Sequence, residues 1–219
     1  MRKQERYKYV LDYLAGTWNE TETELNYSNN FELLVAVVLS AQCTDKRINQ
    51  ITPRLFADYP TPEAMSLATP EVLYDYIKTV SYPNNKAKHL VGLSQGLVER
   101  FGGEVPSTLE ELTSLPGVGR KSANLIMGDI FGEPAIVTDT HCIRLVNRIG
   151  LVDQVKEPAK VEKLLWDLVP PEESNQFCHR LVDHGRAVCT ARKPDCGHCV
   201  LNDLCRYAKE EQPFGLGEL

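Results

Sequence analysis

The sequence predicts an all-α fold of short helices joined by short loops. Thr61 and Thr69 each stand before a proline, the pattern of a capping residue followed by Pro at the first helical position. Clear strand patterns are nearly absent from the chain. With 219 residues, of which 42% are hydrophobic, the chain can bury a full core. These observations together indicate a globular helical protein.

One segment, residues 31–39, is ambiguous because it is almost wholly apolar and rich in Val. A buried strand and a buried helix share this pattern. No second strand candidate offers a pairing partner, so we interpret the segment as a central helix. Further along, Ser107 and Glu110 form an S-x-x-E capping box that predicts another helix start. A helix is also expected after Glu172, and the acidic tail from Lys209 onward is expected to fray.

The charge and hydropathy patterns limit the possible surroundings of the protein. No window approaches the roughly twenty apolar residues needed to span a membrane. The N-terminus has no apolar stretch of the signal-peptide kind, so we expect a cytoplasmic protein. A net charge of −6 argues mildly against a nucleic-acid partner, but charge is a property of faces. A one-sided basic surface could be built from Arg120, Lys121, Arg144, Arg148, Arg186, Arg192 and Lys193.

The densest chemical signal is LPGVGRKSA at residues 115–123. A helix is predicted to end near Ser114 and a new one to begin after the turn that contains Gly117 and Gly119. Glycines permit unusual backbone angles and close backbone approach. Free amide groups at the positive end of the new helix can hold a phosphate. This pattern is typical of a helix-hairpin-helix motif, which binds the sugar-phosphate chain without reading its sequence.

Two other interpretations of this turn compete. A nucleotide-binding P-loop needs Gly immediately before Lys, whereas Arg120 intervenes here. A plain helix connection that happens to use glycine also fits, since Gly is common at helix ends.

Lys121 is a candidate nucleophile because of its place in the first turn of the second helix. The helix dipole disfavours a positive charge there, and partial desolvation would act in the same direction. A neutral lysine amine can form a Schiff base. The alternative is an ordinary lysine that contacts phosphate.

Asp139 precedes the apolar pattern of residues 140–148 and therefore resembles a helix N-cap. A capping carboxylate held beside an amine can also stabilise positive charge on a sugar or move a proton. His141 fits three roles that the sequence does not separate: a base, a DNA contact or a satisfied surface residue.

Four cysteines form a C-x6-C-x2-C-x5-C pattern, which is a strong metal signature. They are Cys189, Cys196, Cys199 and Cys205. Zinc and a [4Fe–4S] cluster both accept four cysteines, so the spacing leaves the metal open. Arg192 and Lys193 lie between the first two ligands, where they could contact phosphate or offset thiolate charge. The scattered Cys43, Cys142 and Cys178 are expected to be core thiols.

Together these segments resemble the endonuclease III family of helix-hairpin-helix DNA glycosylases, from about residue 31 to residue 205. LPGVGRKSA resembles the hairpin with the catalytic lysine, here Lys121. TDTHCIRLVNR resembles the segment with the catalytic aspartate, here Asp139. HGRAVCTARKPDCGHC, continued by VLNDLC, is similar to the family's cluster loop. The resemblance therefore implies a [4Fe–4S] cluster on the four cysteines.

The resemblance also implies DNA contacts. LSAQCTD is similar to the segment whose glutamine enters the space left by an extruded base, here Gln42. Tyr82 in SYPNNKA stands where the family usually has a leucine wedge. An aromatic ring can still stack on bases, so this departure bears on damage preference. Further DNA contacts are expected from Gly117, Gly119, His141, Arg192 and Lys193.

The family layout implies two helical lobes with the active site and DNA groove between them. A six-helix barrel with the hairpin would span 22–133, and a cluster lobe would combine 1–21 with 134–219. The implied enzyme is a bifunctional glycosylase and abasic-site lyase that removes oxidised pyrimidines through a lysine Schiff base and cuts on the 3′ side by β-elimination. Its partner would be duplex DNA with a damaged base or abasic site. We expect a monomer that binds no membrane and, in a bacterium, associates with the nucleoid.

Three rival interpretations predict different residues or properties. A mismatch adenine glycosylase lacks the lysine and carries a catalytic glutamate in the early helix, but residues 33–42 hold no carboxylate. A non-catalytic DNA-binding or redox module predicts loss of Lys121 or Asp139, and both are present. A zinc-bound protein-interaction domain predicts a colourless protein.

Overall fold

A computed structural model describes residues 2–19 and 21–209, which form twelve α-helices and one 3-10 turn and contain no β-strand. The all-α prediction is confirmed. No helix in these described ranges has the length and apolar character that a membrane span requires. The tail that is expected to fray begins at Lys209, and its residues 210–219 lie outside the described part. The chain divides into two compact units, Thr23–Gly132 and the described residues of Met1–Glu22 with Glu133–Leu219.

The Thr23–Gly132 unit contains seven helices, one more than the expected six-helix barrel, and two of the seven have only five residues each. They are α2 (Asn30–Ser40), α3 (Asp45–Asp58), α4 (Pro62–Ser66), α5 (Pro70–Ile77), α6 (Pro83–Phe101), α7 (Leu109–Thr113) and α8 (Arg120–Phe131). Helix α2 lies at the centre, and α3, α6 and α8 pack against it. Eight of its eleven residues are buried, which is why its sequence is apolar on every face. The interpretation of this segment as a helix is therefore confirmed.

Side-chain caps set where several of these helices begin. The Thr61 hydroxyl accepts from the Ala64 N–H at 3.2 Å, as the sequence predicts. The predicted capping box is wrong by one residue, because the cap of α7 is Thr108 instead of Ser107. Its hydroxyl accepts from the Glu111 N–H at 3.2 Å and donates to the Glu111 carboxylate at 2.7 Å. Leu112 is buried, and its burial favours a helix that begins after Thr108 over one that begins after Ser107.

The other unit combines both ends of the chain. Its helices are α1 (Lys3–Thr17), α9 (Thr140–Ile149), α10 (Pro158–Trp166), α11 (Ser174–Ala187) and α12 (Arg206–Lys209), with a 3-10 turn at Pro171–Glu173. Helix α1 packs on α11, where the rings of Tyr7 and Phe177 meet edge to face with centroids 5.4 Å apart. The predicted helix after Glu172 is α11, which buries Phe177 and Leu181.

Candidate functional site

The glycine turn joins α7 to α8 in a short hairpin. The Val118 N–H donates to the Leu115 carbonyl at 3.2 Å, and the Ala123 N–H donates to the Gly119 carbonyl at 2.9 Å to begin α8. Leu115 and Val118 are buried, whereas Gly117 and Gly119 are exposed. The apolar residues thus anchor the turn in the core and leave the glycine backbone facing outward, as a phosphate-binding hairpin requires.

The two glycines serve different purposes. Gly117 has φ +81°, and a Cβ there would lie 2.9 Å from the Cβ of His89. The turn itself therefore requires glycine at 117. Gly119 has φ −88°, which any residue adopts, and a Cβ there would meet nothing within 4 Å. The fold does not require glycine at 119, so the open backbone at this position is free for close approach by another molecule.

This difference predicts opposite results for two alanine variants. Gly117→Ala should lower the free energy of unfolding by about 1–3 kcal/mol, because alanine is strained at positive φ and crowds His89. Gly119→Ala should cost less than about 1 kcal/mol in folding, as a glycine N-cap replaced by alanine. It should nevertheless weaken binding to an abasic-site duplex about tenfold, or about 1.4 kcal/mol. Urea denaturation and fluorescence anisotropy measure the two quantities, and wild-type affinity in Gly119→Ala would contradict the phosphate role.

Lys121 is the second residue of α8, as predicted, so its amine belongs to the positive end of that helix. The protein alone does not supply the partial desolvation that would favour a neutral amine, because Lys121 and its neighbour Arg120 are both exposed. The cause is the orientation of α8, which turns Ala123 and Ile126 into the core. Within the protein alone, the amine of Lys121 is therefore open to solvent.

Gln42 and Tyr82 share an uncommon backbone conformation. Their φ angles are +56° and +54°, in the left-handed region that non-glycine residues rarely adopt, and both residues are exposed. The two segments are joined directly, because the Ser81 hydroxyl donates to the Gln42 carbonyl at 2.7 Å. Strained residues of this kind cost about 1–3 kcal/mol each and cluster at functional sites. The structure thus places both predicted DNA-contacting residues in one hydrogen-bonded region.

Asp139 is the N-cap of α9, which confirms that structural prediction. One carboxylate oxygen accepts from the Cys142 N–H at 2.7 Å, and the residue is half-buried. The cap fixes the orientation of the carboxylate and keeps it at the positive end of the helix, where negative charge is favoured.

His141 follows in the first turn of α9, and its Nδ1 lies 3.0 Å from a guanidinium nitrogen of Arg144. A guanidinium can only donate, so Nδ1 accepts and the neutral ring carries its proton on Nε2. The Arg144 contact therefore fixes the tautomer and orientation of His141.

Arg144 and Arg148 are two functional residues that the sequence interpretation missed. Counted there as surface cations, they are only 6% and 5% exposed. Arg144 donates to the carbonyl of Cys189 at 3.0 Å, and Arg148 donates to the carbonyls of Thr190 at 2.8 Å and Ala191 at 2.8 Å. Their spacing of four residues places them on one face of α9. They brace the start of the cysteine loop and do not form part of a basic surface.

The four loop cysteines, Cys189, Cys196, Cys199 and Cys205, line one cavity. In the part of the chain that the structure describes, no three His, Cys, Asp or Glu side chains converge closely enough to hold a single ion. The four cysteines line the wall of that cavity together with apolar neighbours such as Leu145, Ile149 and Leu201.

The chemistry of this donor set fits a metal cluster. Burial raises the pKa of the Cys196 and Cys205 thiols and raises that of Cys199 to about 11. A raised pKa favours the protonated thiol over the thiolate. Iron binds the thiolate, and the positive charge of a bound metal stabilises that form. A guanidinium nitrogen of Arg148 already lies 3.4 Å from the Cys189 sulfur. Four thiols and a nearby cation in one cavity are what a thiolate-bound cluster requires.

The remaining predicted residues of this region are Arg192, Lys193 and the scattered cysteines. Arg192 and Lys193 are exposed in the loop after Cys189. The Thr190 hydroxyl donates to the Lys193 carbonyl at 2.7 Å and closes this loop. Cys142 and Cys178 are buried core thiols as predicted, whereas Cys43 is only half-buried.

Comparison with known proteins identifies the chain. Residues 35–171 match the family described as HhH-GPD superfamily base excision DNA repair protein. Residues 189–205 match the iron-sulfur binding domain of endonuclease III. The chain is 42% identical over 209 residues to endonuclease III of Bacillus subtilis (strain 168), with 95% of each chain covered. It is 44% identical over 188 residues to endonuclease III of Escherichia coli (strain K12), with 86% of this chain and 89% of the relative covered.

Two solved structures share the fold of this chain. A trapped endonuclease III–DNA covalent intermediate has a TM-score of 0.92 and 40% identity, covering 96% of this chain and 99% of that chain. A thermostable thymine-DNA glycosylase, with 23% identity over 94% of this chain and 98% of that chain and a TM-score of 0.85, shares the fold.

The fold and the hairpin thus define a base excision DNA repair protein of the HhH-GPD superfamily. Within it, the chain belongs to the endonuclease III family. It is a bifunctional DNA glycosylase and abasic-site lyase, its partner is DNA, and its cofactor is a [4Fe–4S] cluster. The cluster-loop match decides the choice between iron–sulfur and zinc that the cysteine spacing left open.

Removal of one loop cysteine should therefore remove the cluster. In Cys205→Ala we expect loss of the broad visible absorbance and of bound iron. Structural metal sites contribute several kcal/mol, and 1 kcal/mol corresponds to about 2–4 °C for a chain of this size, so the melting temperature should fall by about 10 °C or more. The matched control is Cys178→Ala, a buried cysteine outside the loop that should keep the absorbance. Full absorbance in Cys205→Ala would exclude Cys205 as a ligand.

Proposed function

We propose that Lys121 is the nucleophile of this glycosylase and that Asp139 is its acid/base partner. The observation that carries the proposal is the position of Lys121, directly after the outward-facing hairpin backbone and in the first turn of α8. A damaged nucleotide extruded from the duplex would meet this amine at the positive end of α8. DNA covering the exposed side chain would supply the desolvation that the protein alone does not provide.

The chemistry proceeds in two stages. The neutral Lys121 amine attacks the anomeric carbon, the bond from that carbon to the base breaks, and the base leaves with the electron pair and takes up a proton. The attached nitrogen then gives up one proton and the bond from the anomeric carbon to the ring oxygen breaks. The ring oxygen takes up that proton, and the open sugar remains joined to Lys121 as a protonated Schiff base. This cation makes a neighbouring sugar proton acidic, and its removal expels the 3′ phosphate by β-elimination. Hydrolysis then frees the lysine.

Asp139 has two tasks in this proposal. As a carboxylate it stabilises positive charge that builds on the sugar while the base departs. It then accepts or returns protons during formation of the Schiff base. Its N-cap bond to Cys142 supports the proposal because it holds the carboxylate in one orientation. When bound, the cluster supplies iron–thiolate bonds that brace its loop, and the steps above transfer no electron to it.

The proposed DNA contacts follow from the local structure. The hairpin amides at Gly117 and Gly119 would hold the sugar-phosphate chain. Gln42 would enter the space left by the extruded base, and the exposed Tyr82 ring would stack beside it. The remaining proposed contacts are His141, Arg192 and Lys193. Local arrangement of these groups, and not the net charge of −6, would govern binding.

We further propose that oxidised pyrimidines are the substrates and that the enzyme acts as a cytoplasmic monomer, at the nucleoid in a bacterium. The resemblance to the endonuclease III family supports this substrate class. The proposed lobes are 22–133 for the six-helix barrel and 1–21 with 134–219 for the cluster lobe. The two compact units, divided near residues 22 and 132, support those boundaries.

The direct test uses the wild-type holoenzyme with two labelled duplexes, one carrying an abasic site and one an oxidised pyrimidine. We expect nicking of both and, with borohydride present, a covalent protein–DNA complex that survives denaturation. An undamaged duplex is the control. Nicking without any trapped complex would contradict the Schiff-base chemistry, and nicking of the abasic duplex alone would contradict the proposed substrate class.

A further inference from the structure

Among the described residues is a buried lysine that the mechanism above does not use. Lys86 lies in the first turn of α6 and is only 6% exposed. A lysine ammonium is rarely buried without a partner, and the positive end of a helix is an unfavourable place for it. Lys86 therefore needs compensating contacts from another part of the unit.

Those contacts come from the end of α2. The Lys86 ammonium donates to the Leu39 carbonyl at 2.8 Å and to the Ala41 carbonyl at 2.6 Å. The last carbonyls of a helix have no partner within the helix, and they lie at its negative end. Lys86 thus satisfies both acceptors and neutralises the dipole at the point where the chain leaves α2. Burial lowers the pKa of Lys86 below its ordinary value, which fits this enclosed position.

The segment held in this way is the one that carries Gln42. The adjacent carbonyls are also occupied: the Cys43 N–H donates to Ser40 at 2.9 Å, and the Ser81 hydroxyl donates to Gln42 at 2.7 Å. With every carbonyl from residue 39 to residue 42 bonded, the strained backbone of Gln42 has few alternative conformations.

Lys86 also reaches the second strained residue. Its backbone N–H donates to the Tyr82 carbonyl at 3.1 Å. Lys86 thus connects the two segments that contain a left-handed backbone conformation. Its backbone N–H binds Tyr82, and its ammonium binds the segment that carries Gln42.

We propose that Lys86 is a positioning residue that holds Gln42 in the conformation needed to fill the gap left by an extruded base. This inference rests on the proposed DNA role of Gln42. Lys86 does not touch the reacting atoms. It acts through two main-chain carbonyls, and its effect on damaged DNA should therefore disappear when the Gln42 side chain is removed.

The test is a double-mutant cycle on binding. Lys86→Met keeps the length of the apolar stem but removes the ammonium. Affinities of wild type, Lys86→Met, Gln42→Ala and the double variant are measured by anisotropy with a duplex containing tetrahydrofuran, a stable abasic-site analogue, and with an intact duplex. Lys86→Met should weaken binding to the tetrahydrofuran duplex about tenfold, which is about 1.4 kcal/mol, while binding to the intact duplex changes little. In the Gln42→Ala background the same substitution should have an effect below about twofold.

Equal losses in both backgrounds, or equal losses on both duplexes, would overturn the proposal and make Lys86 a general stabilising residue. Ser81→Ala serves as a second variant if Lys86→Met does not fold. It removes the neighbouring bond to Gln42 from a half-buried position and should lower the preference for the tetrahydrofuran duplex only when Gln42 is present. An unchanged preference in Ser81→Ala would likewise count against the proposal. Borohydride trapping by wild type and by Lys121→Ala tests the proposed nucleophile separately, so failure of one proposal is distinguishable from failure of the other.

Discussion

Lys121→Ala is expected to abolish strand nicking at an abasic site and to remove the borohydride-trapped complex. The rate should fall by a factor of about 10³ or more, the scale seen when a catalytic nucleophile is deleted. Alanine has no group that can form the Schiff base, so the second stage cannot begin. Because Lys121 is exposed, its loss should change the free energy of unfolding by no more than about 0.5 kcal/mol. Single-turnover nicking and denaturing electrophoresis of trapped complexes measure the effect.

Arg120→Ala is the matched control for this variant. Arg120 is the neighbouring cation, exposed in the same turn of α8, so its removal tests the general effect of lost charge beside the hairpin. We expect weaker DNA binding with retention of the trapped complex. A trapped complex of undiminished yield in Lys121→Ala would show that another amine is the nucleophile.

The features that the sequence predicts correctly depend on short-range contacts. The cap of α4 joins Thr61 to Ala64, and the cap of α9 joins Asp139 to Cys142, each over three residues. A residue pattern can reveal such bonds because both partners lie in one short segment. Lys121 is placed correctly in its helix for the same reason.

The features that the sequence does not reveal depend on contacts between distant segments. Lys86 bonds to carbonyls 45 and 47 residues away, and Arg144 bonds to a carbonyl 45 residues away. A cation in a sequence is expected at the surface, and only the packed helices show that these are enclosed. Lys121 differs from these buried cations because it is exposed. Its exposure depends on the orientation of α8, which the apolar residues of that helix decide. The sequence therefore predicts the candidate chemical groups better than their surroundings.

The structural and chemical roles of Asp139 can be separated by two substitutions. Asn is as good an N-cap as Asp, so Asp139→Asn should keep the bond to the Cys142 N–H and the stability of α9 to within about 0.5 kcal/mol. It removes the negative charge, so release of an oxidised pyrimidine should slow by a factor of about 10²–10⁴. Asp139→Ala should show the same loss of activity and an additional loss of about 1 kcal/mol in unfolding free energy, because the cap is gone. Base release is followed by single-turnover kinetics, and unfolding by urea titration of the holoenzyme. If Asp139→Asn retained full activity while Asp139→Ala lost both properties, Asp139 would be only a cap, and the proton transfers would have to be assigned to another group.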